Sequence, residues 1–395
     1  ENLVDVGQSI KGNIRLSLSR IREGIKALDD EEVFASFQLA NLSMLIQMSH
    51  FDVNETEGGP FKLDKAHSLE NISYLENHKF NWYPFQLAYF LLVLSSLVDE
   101  GHEYRETVDL IWFQTGGGKT EAYFFVSAFE MIYRRVKDGK KGLGTAIINR
   151  YTYRFLTTDQ FTRTAGLICA LERIRRRNPT GSRWADKLTS VPFTLGLWVG
   201  GDVTPNKLKN DSDKENIDRS ANGRIKTMKD TIGTEYFINF FQIESCPSCA
   251  TRLFPETDER DDNNEIKEAL WGFRLKGRNF HVVCPSHDCL FHGPDQGTDL
   301  PLLMVDESIY QDPPTFLIGT IDKFANLAWQ QASGKLIGQD TKTLPPSLII
   351  QDELHLISGS LGTLAAIYES AVDTVISQNG QKKPKYIAAT ATIRN

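Results

Sequence analysis

The apolar run Leu110 to Phe113 leads directly into Gln114-Thr115-Gly116-Gly117-Gly118-Lys119-Thr120, and the stretch that follows, EAYFFVSAFEMIYRRV, is compatible with a helix. Strand, glycine-rich turn and helix in that order restrict the fold more than any other feature of this chain. Three consecutive glycines let the backbone curl until several N–H groups face one point, and the positive end of the new helix is aimed at the same point. Such a cradle suits phosphate. Lys119 is then expected to reach the β and γ phosphates of a nucleotide, with Thr115 and the three glycines lining the loop and Thr120 holding Mg²⁺. The usual pattern opens with a glycine separated by four residues from the Gly-Lys pair, and Phe113 stands there instead.

Hydrolysis of a nucleotide also needs one carboxylate to position the metal and a second to polarise water, both at the end of a buried strand. Leu348-Ile349-Ile350-Gln351-Asp352-Glu353-Leu354-His355 supplies them. Asp352 is expected to hold Mg²⁺ with Thr120, Glu353 to act as general base, and His355 to sense the γ-phosphate. An upstream run, Leu302-Leu303-Met304-Val305-Asp306-Glu307, has the same outline but lacks the Leu-His continuation. We read Asp306 and Glu307 as part of a return to the sheet rather than as chemistry.

Around these motifs, helix-like segments alternate with short apolar strands at Leu110 to Phe113, Thr145 to Ile148, Phe193 to Val199, Phe316 to Ile318, Leu348 to Ile350 and Tyr386 to Ala389. That alternation predicts an α/β fold with a parallel sheet flanked by helices. Apolar residues at helical spacing from Asn13 to Met48 predict an α-helical N-terminal region over 1–75, which ends near the ETEGGP break. The motor-like α/β lobe is expected in two parts, 76–205 and 306–395, separated by a polar, turn-rich insertion over 206–305 that contains NDSDKENIDRS and ETDERDDNNE. With 41% hydrophobic and 24% charged residues the composition is that of a globular protein, and no apolar run approaches the ~18 residues of a membrane span. A formal charge of -7 excludes a uniformly basic nucleic-acid coat but leaves room for one basic groove. The chain starts at Glu1 with no leader pattern and reads as a piece of a longer cytoplasmic protein.

Five cysteines at this length do not form a secreted disulfide scaffold. Four of them make two close pairs, Cys246-Pro247-Ser248-Cys249 and Cys284-Pro285-Ser286-His287-Asp288-Cys289. Two thiolate pairs can close a tetrahedron, so the insertion is expected to be zinc-ribbon-like, with a structural Zn²⁺ on Cys246, Cys249, Cys284 and Cys289. His287 or His292 remains an alternative to one cysteine, and paired free thiols remain the alternative to metal. Cys169, within GLICAL, reads as a core residue, and the basic run Arg173 to Arg177 reads as a solvated helix face.

Taken in order, the motifs resemble those of a superfamily 2 helicase of the DExH type, over roughly Trp82 to the end outside the insertion. Trp82-Tyr83-Pro84-Phe85-Gln86 resembles the adenine-reading Q element, TGGGKT motif I, and Arg150 to Gln160 loosely motif Ia. Gly200-Gly201 resembles the GG element, Gly319-Thr320-Ile321-Asp322-Lys323 motif Ib, Asp352-Glu353-Leu354-His355 motif II, and Thr390-Ala391-Thr392 motif III. The resemblance implies a RecA-like fold and a role for Gln86 at the adenine. It implies backbone contacts to nucleic acid from Arg150, Thr152, Arg154, Gly201, Thr320 and Lys323, and coupling of nucleotide state to lobe closure by Thr390 and Thr392. The wording RYTYRFLTTDQF, PPTFLIGTIDKFA and IIQDELHLISG is similar to the helicase-like subunits of bacterial DISARM anti-phage systems. That narrower resemblance implies DNA, single-stranded or duplex, as ligand and the protein DrmB as partner. The expected activity is therefore an ATP-dependent DNA helicase or translocase in a defence complex. An RNA-directed helicase, or a nucleic-acid-binding scaffold with vestigial ATPase, are the alternatives. Because the superfamily takes a rate-enhancing arginine from a second RecA-like lobe, which this chain stops short of, poor turnover is expected of it alone.

Overall fold

The computed structural model describes residues 3–56, 79–113, 116–151, 154–209, 219–293, 298–325, 327, 329–357, 359–377 and 383–390. Seven strands form one parallel sheet: β1 (Asp109–Trp112), β2 (Ile147–Tyr151), β3 (Leu195–Trp198), β6 (Leu302–Leu303), β7 (Phe316–Thr320), β8 (Leu348–Gln351) and β9 (Lys385–Thr390). Their spatial order is β1-β9-β8-β2-β7-β3-β6. The two strands latest in sequence thus lie between β1 and β2. In β3, β7 and β8 every residue is buried, as expected of parallel strands covered on both faces.

Helices cover the two faces. On one side lie α2 (Glu31–Thr56), α3 (Pro84–Val98), α4 (Lys119–Asp138) and α5 (Arg154–Arg177), whose Phe90, Phe125, Phe129, Ile168 and Leu171 are buried in the main core. On the other side a smaller cluster of Ile148, Trp198, Leu317, Ile349, Val372 and Ile376 packs beneath α7 (Asp306–Gln311), α8 (Ile321–Ala325) and α9 (Gly359–Ser377). The first helix, α1 (Leu3–Ala27), crosses α3 so closely that a Cβ on Gly24 would stand 1.9 Å from the Leu91 carbonyl oxygen. It is held by charge as well. Arg20 donates from both terminal nitrogens to Asp109 at the start of β1, each at 2.7 Å, and Lys385 of β9 meets the same carboxylate at 2.7 Å. Removing Asp109 would strand two largely buried cations, at a cost of about 3–5 kcal/mol.

Between β3 and β6, in the stretch expected to be an insertion, the chain carries α6 (Ala221–Thr231) and an antiparallel hairpin of β4 (Phe273–Lys276) and β5 (Asn279–Val282). The aromatics of this segment join the main core: Phe241 lies 4.7 Å from both Phe273 and Phe280, and Phe254 packs by Trp271. The polar, charged stretches between them conceal this contribution in the sequence. The hairpin runs on to the sheet through a bridge from Val282 to Leu300 just before β6. The basic run in α5 corrects the reading of a solvated face. Arg173 is 5% exposed, and Arg176 donates to the carbonyls of Leu290 and Asp299, while Glu172 gathers Arg175 and Arg176. Arg176 thus fastens the segment before β6 to helix α5.

Candidate nucleotide site

At the carboxyl ends of β1, β9 and β8, the sequence motifs converge. Gly116 and Gly118 have φ of +77° and +86°, a backbone that L side chains rarely adopt. A Cβ on Gly118 would also come 2.7 Å from Gln86 Nε2 and displace that amide. Gln86 Nε2 donates to the Gly118 carbonyl at 2.9 Å, and its Oε1 accepts the Tyr83 N–H at 2.9 Å. The amide expected at the adenine is thus braced against the phosphate loop. Beside it the rings of Tyr83, Phe85 and Phe113 stack in a row, at 6.2 and 4.6 Å. Lys119, at the first position of α4, donates to the Phe113 carbonyl at 2.7 Å and is 8% exposed. Thr120 follows it in the first helical turn, half-buried. Gln114 and Thr115 lie outside the described residues.

The carboxylate pair follows β8. Asp352 is 3% exposed; its Oδ2 accepts the Tyr123 hydroxyl at 2.8 Å and its Oδ1 the Glu353 N–H at 2.8 Å. Glu353 adopts φ +49°, a left-handed position that turns the chain sharply after the strand. Partial burial, reinforced by the charge of Asp352, holds the Glu353 carboxyl above the usual glutamate range. His355 Nδ1 lies 3.2 Å from Glu353 Oε2 and 3.2 Å from the Thr390 hydroxyl. The Thr390 carbonyl in turn accepts the Phe113 N–H, so β9 bridges the phosphate loop and the carboxylate turn. Thr392 lies outside the described residues. The buried anion Asp352, the half-buried Thr120 and the close-approach glycines form a site suited to a magnesium nucleotide.

The residues expected to meet nucleic acid are placed differently. Arg150, 6% exposed at the end of β2, pairs with Glu369 of α9 at 2.8 Å. Lys323 of α8 is buried against Asp306 at 2.5 Å, and Thr320 is 1% exposed. Gly201 sits in the turn after β3, where Arg224 of α6 donates to its carbonyl and to that of Val203. Thr152 lies outside the described residues, as does the Arg154 side chain. Sequence patterning offered no signal for Tyr123, hidden in an apolar run, or for Arg224, which the insertion supplies.

Within the insertion Cys246, Cys249, Cys284 and Cys289 are all buried, and their sulfurs lie within 4.8 Å of one another. Two sulfur pairs stand 3.9 and 3.5 Å apart. Zinc–sulfur bonds of ~2.3 Å in a tetrahedron separate sulfurs by roughly 3.8 Å, so the four positions fit that ion. Hydrogen bonds from Cys246, Cys284 and Cys289 pull the Cys249 thiol well below its ordinary value. His292 Nδ1 instead meets the Cys284 carbonyl at 2.8 Å, and the His287 ring lies tilted beside it at 4.1 Å. Cys169 is a core residue. Among the described residues no helix is long and apolar enough to cross a membrane.

No protein-family profile matches the chain. Among curated proteins, the DISARM protein DrmA of Bacillus paralicheniformis is 35% identical over an alignment of 432 residues, which takes in 96% of this chain. The chain spans 34% of that protein's length.

Proposed function

We propose that this chain, as a relative of DrmA, carries the nucleotide-binding lobe of an ATP-dependent DNA motor in a DISARM-type anti-phage assembly. One observation carries the reading: Lys119 of the phosphate loop and the Asp352–Glu353 pair are brought to one end of the sheet with β9 bridging them. Each group then has a task set by its chemistry. The loop N–H groups and Lys119 neutralise and orient the phosphates. Thr120 and Asp352 hold Mg²⁺, which when bound draws charge from the phosphate oxygens. Glu353, with its raised affinity for a proton, accepts one from water. His355, between Glu353 and Thr390, relays the state of the site to β9.

Nucleic acid is assigned to Arg150, Thr152, Arg154, Gly201, Thr320 and Lys323, of which Arg150, Gly201 and Thr320 stand at or just after the ends of β2, β3 and β7. For Arg150 and Lys323 this requires exchanging Glu369 and Asp306 for phosphate, so contact there is coupled to movement of α9 and α7. The four cysteines hold a structural zinc that ties down the insertion, and DrmB is the assigned protein partner. The test is ATP turnover by the full-length parent protein without nucleic acid and with single-stranded DNA, duplex DNA or RNA, beside Glu353→Gln. Stimulation by DNA that the substitution abolishes is expected. Stimulation by RNA alone would transfer the motor to RNA, and no Glu353-dependent turnover under any condition would leave a scaffold.

A further inference from the structure

Resting on that reading of the site, we infer that Tyr123 is a positioning residue for the Asp352 carboxylate and links it, through Gln160, to helix α5. Tyr123 belongs to the first turns of α4, four residues beyond Lys119, and is 1% exposed. Within reach of its hydroxyl are Asp352 Oδ2 at 2.8 Å and Gln160 Oε1 at 3.1 Å. The ring is fixed edge-on to Phe124 at 88°, and the Tyr123 carbonyl accepts the Ser127 hydroxyl. Gln160 sits in α5, whose first residue, Arg154, is among those assigned to nucleic acid. A second tie joins the same two helices, the Arg163–Glu121 ion pair.

A phenol has one proton to give, and an ionised carboxylate is a better acceptor than an amide oxygen. While Asp352 carries its full charge the proton belongs there, and that bond fixes which Asp352 lone pairs face the phosphate loop. When Asp352 shares its charge with a cation its hold on the proton weakens, and Gln160 competes for it. The hydroxyl is therefore a rotor with two settings, one favoured by each state of the carboxylate. Linkage makes the effect reciprocal: whatever moves α5 alters how well Asp352 holds a cation. The signal runs over two hydrogen bonds and needs no distortion of the sheet.

The full chain with Tyr123→Phe keeps the ring and loses the hydroxyl alone. Calorimetric titration with ADP in the presence of Mg²⁺, and again in EDTA, separates metal-dependent from metal-independent binding. The substitution is expected to weaken Mg·ADP binding by about 10- to 150-fold, the range for losing a hydrogen bond to a charged group, with ADP in EDTA unchanged. Amide exchange across 154–165 is expected to respond to Mg·ADP in the unaltered chain and to lose that response in Tyr123→Phe. Mg·ADP binding and α5 exchange identical to the unaltered chain would overturn the assignment while leaving the nucleotide site intact. Absence of any Lys119-dependent ADP binding in the unaltered chain would overturn the nucleotide reading and this inference with it.

Discussion

Two places in the chain carry an apolar run ending in Asp-Glu, and the fold uses them in opposite ways. Asp306 opens α7 as a buried carboxylate facing the Lys323 ammonium at 2.5 Å, with the Tyr310 hydroxyl also nearby at 3.5 Å. Glu307 accepts the Leu208 N–H. Asp352 has the Tyr123 hydroxyl and its neighbour's N–H among its donors, and Glu353 stands half-buried beside it in a left-handed turn, within the influence of His355 and Lys119. The first pair closes a junction through Lys323 and the Leu208 N–H. The second sets two adjacent carboxylates at the end of β8 beside the phosphate loop, a placement suited to a bound cation. Local sequence is nearly the same, so the difference is made by what the topology brings opposite each carboxylate.

The largest contrast is expected in turnover. Glu353→Gln should lower phosphate release by the full-length parent about 10²- to 10⁴-fold, the usual contribution of a positioned general base, whereas Glu307→Gln should leave it nearly unchanged. Stability should show the reverse. Asp306→Asn leaves the buried Lys323 charge uncompensated and is expected to cost about 3–5 kcal/mol in denaturant unfolding. Asp352→Asn relieves repulsion with Glu353 and should cost little, and a loss as large as that of Asp306→Asn would erase the distinction. A smaller effect concerns pH. Since burial and Asp352 raise the Glu353 carboxyl, the base becomes protonated as pH falls through that raised value. Turnover should therefore decline on the acid side at a higher pH than an ordinary glutamate, near ~4.3, would give. The smallest effect at the nucleotide site is expected from Cys249→Ser, which should lower bound zinc in elemental analysis while Mg·ADP binding persists.

Much of this was legible in the sequence because it depends on neighbours along the chain. The glycines of the phosphate loop, the apolar strands and the cysteine pairs are each local patterns, and the parallel sheet follows from their alternation. What escaped notice depends on residues far apart. Tyr123 lies in a Tyr-Phe-Phe run that any core helix could carry, and its role appears only when β8 delivers Asp352 to it. The arginines of α5 have the spacing of a solvated face, yet Arg176 ends on carbonyls of the insertion. Charge alone does not tell water from a buried carbonyl. Asp109 likewise draws Arg20 and Lys385 from opposite ends of the chain. Motif order, from which the nucleic-acid residues follow, does not say which way a side chain turns, and Arg150 and Lys323 turn to Glu369 and Asp306.

The most direct test of the contrast between the two pairs is Mg²⁺-dependent ADP binding to the chain bearing Asp352→Asn, set against the chain bearing Asp306→Asn. The first substitution is expected to remove the affinity gained from Mg²⁺ and the second, once folded, to retain it. Retention by Asp352→Asn together with loss in a folded Asp306→Asn would assign the metal to Asp306 and contradict the role given to Asp352.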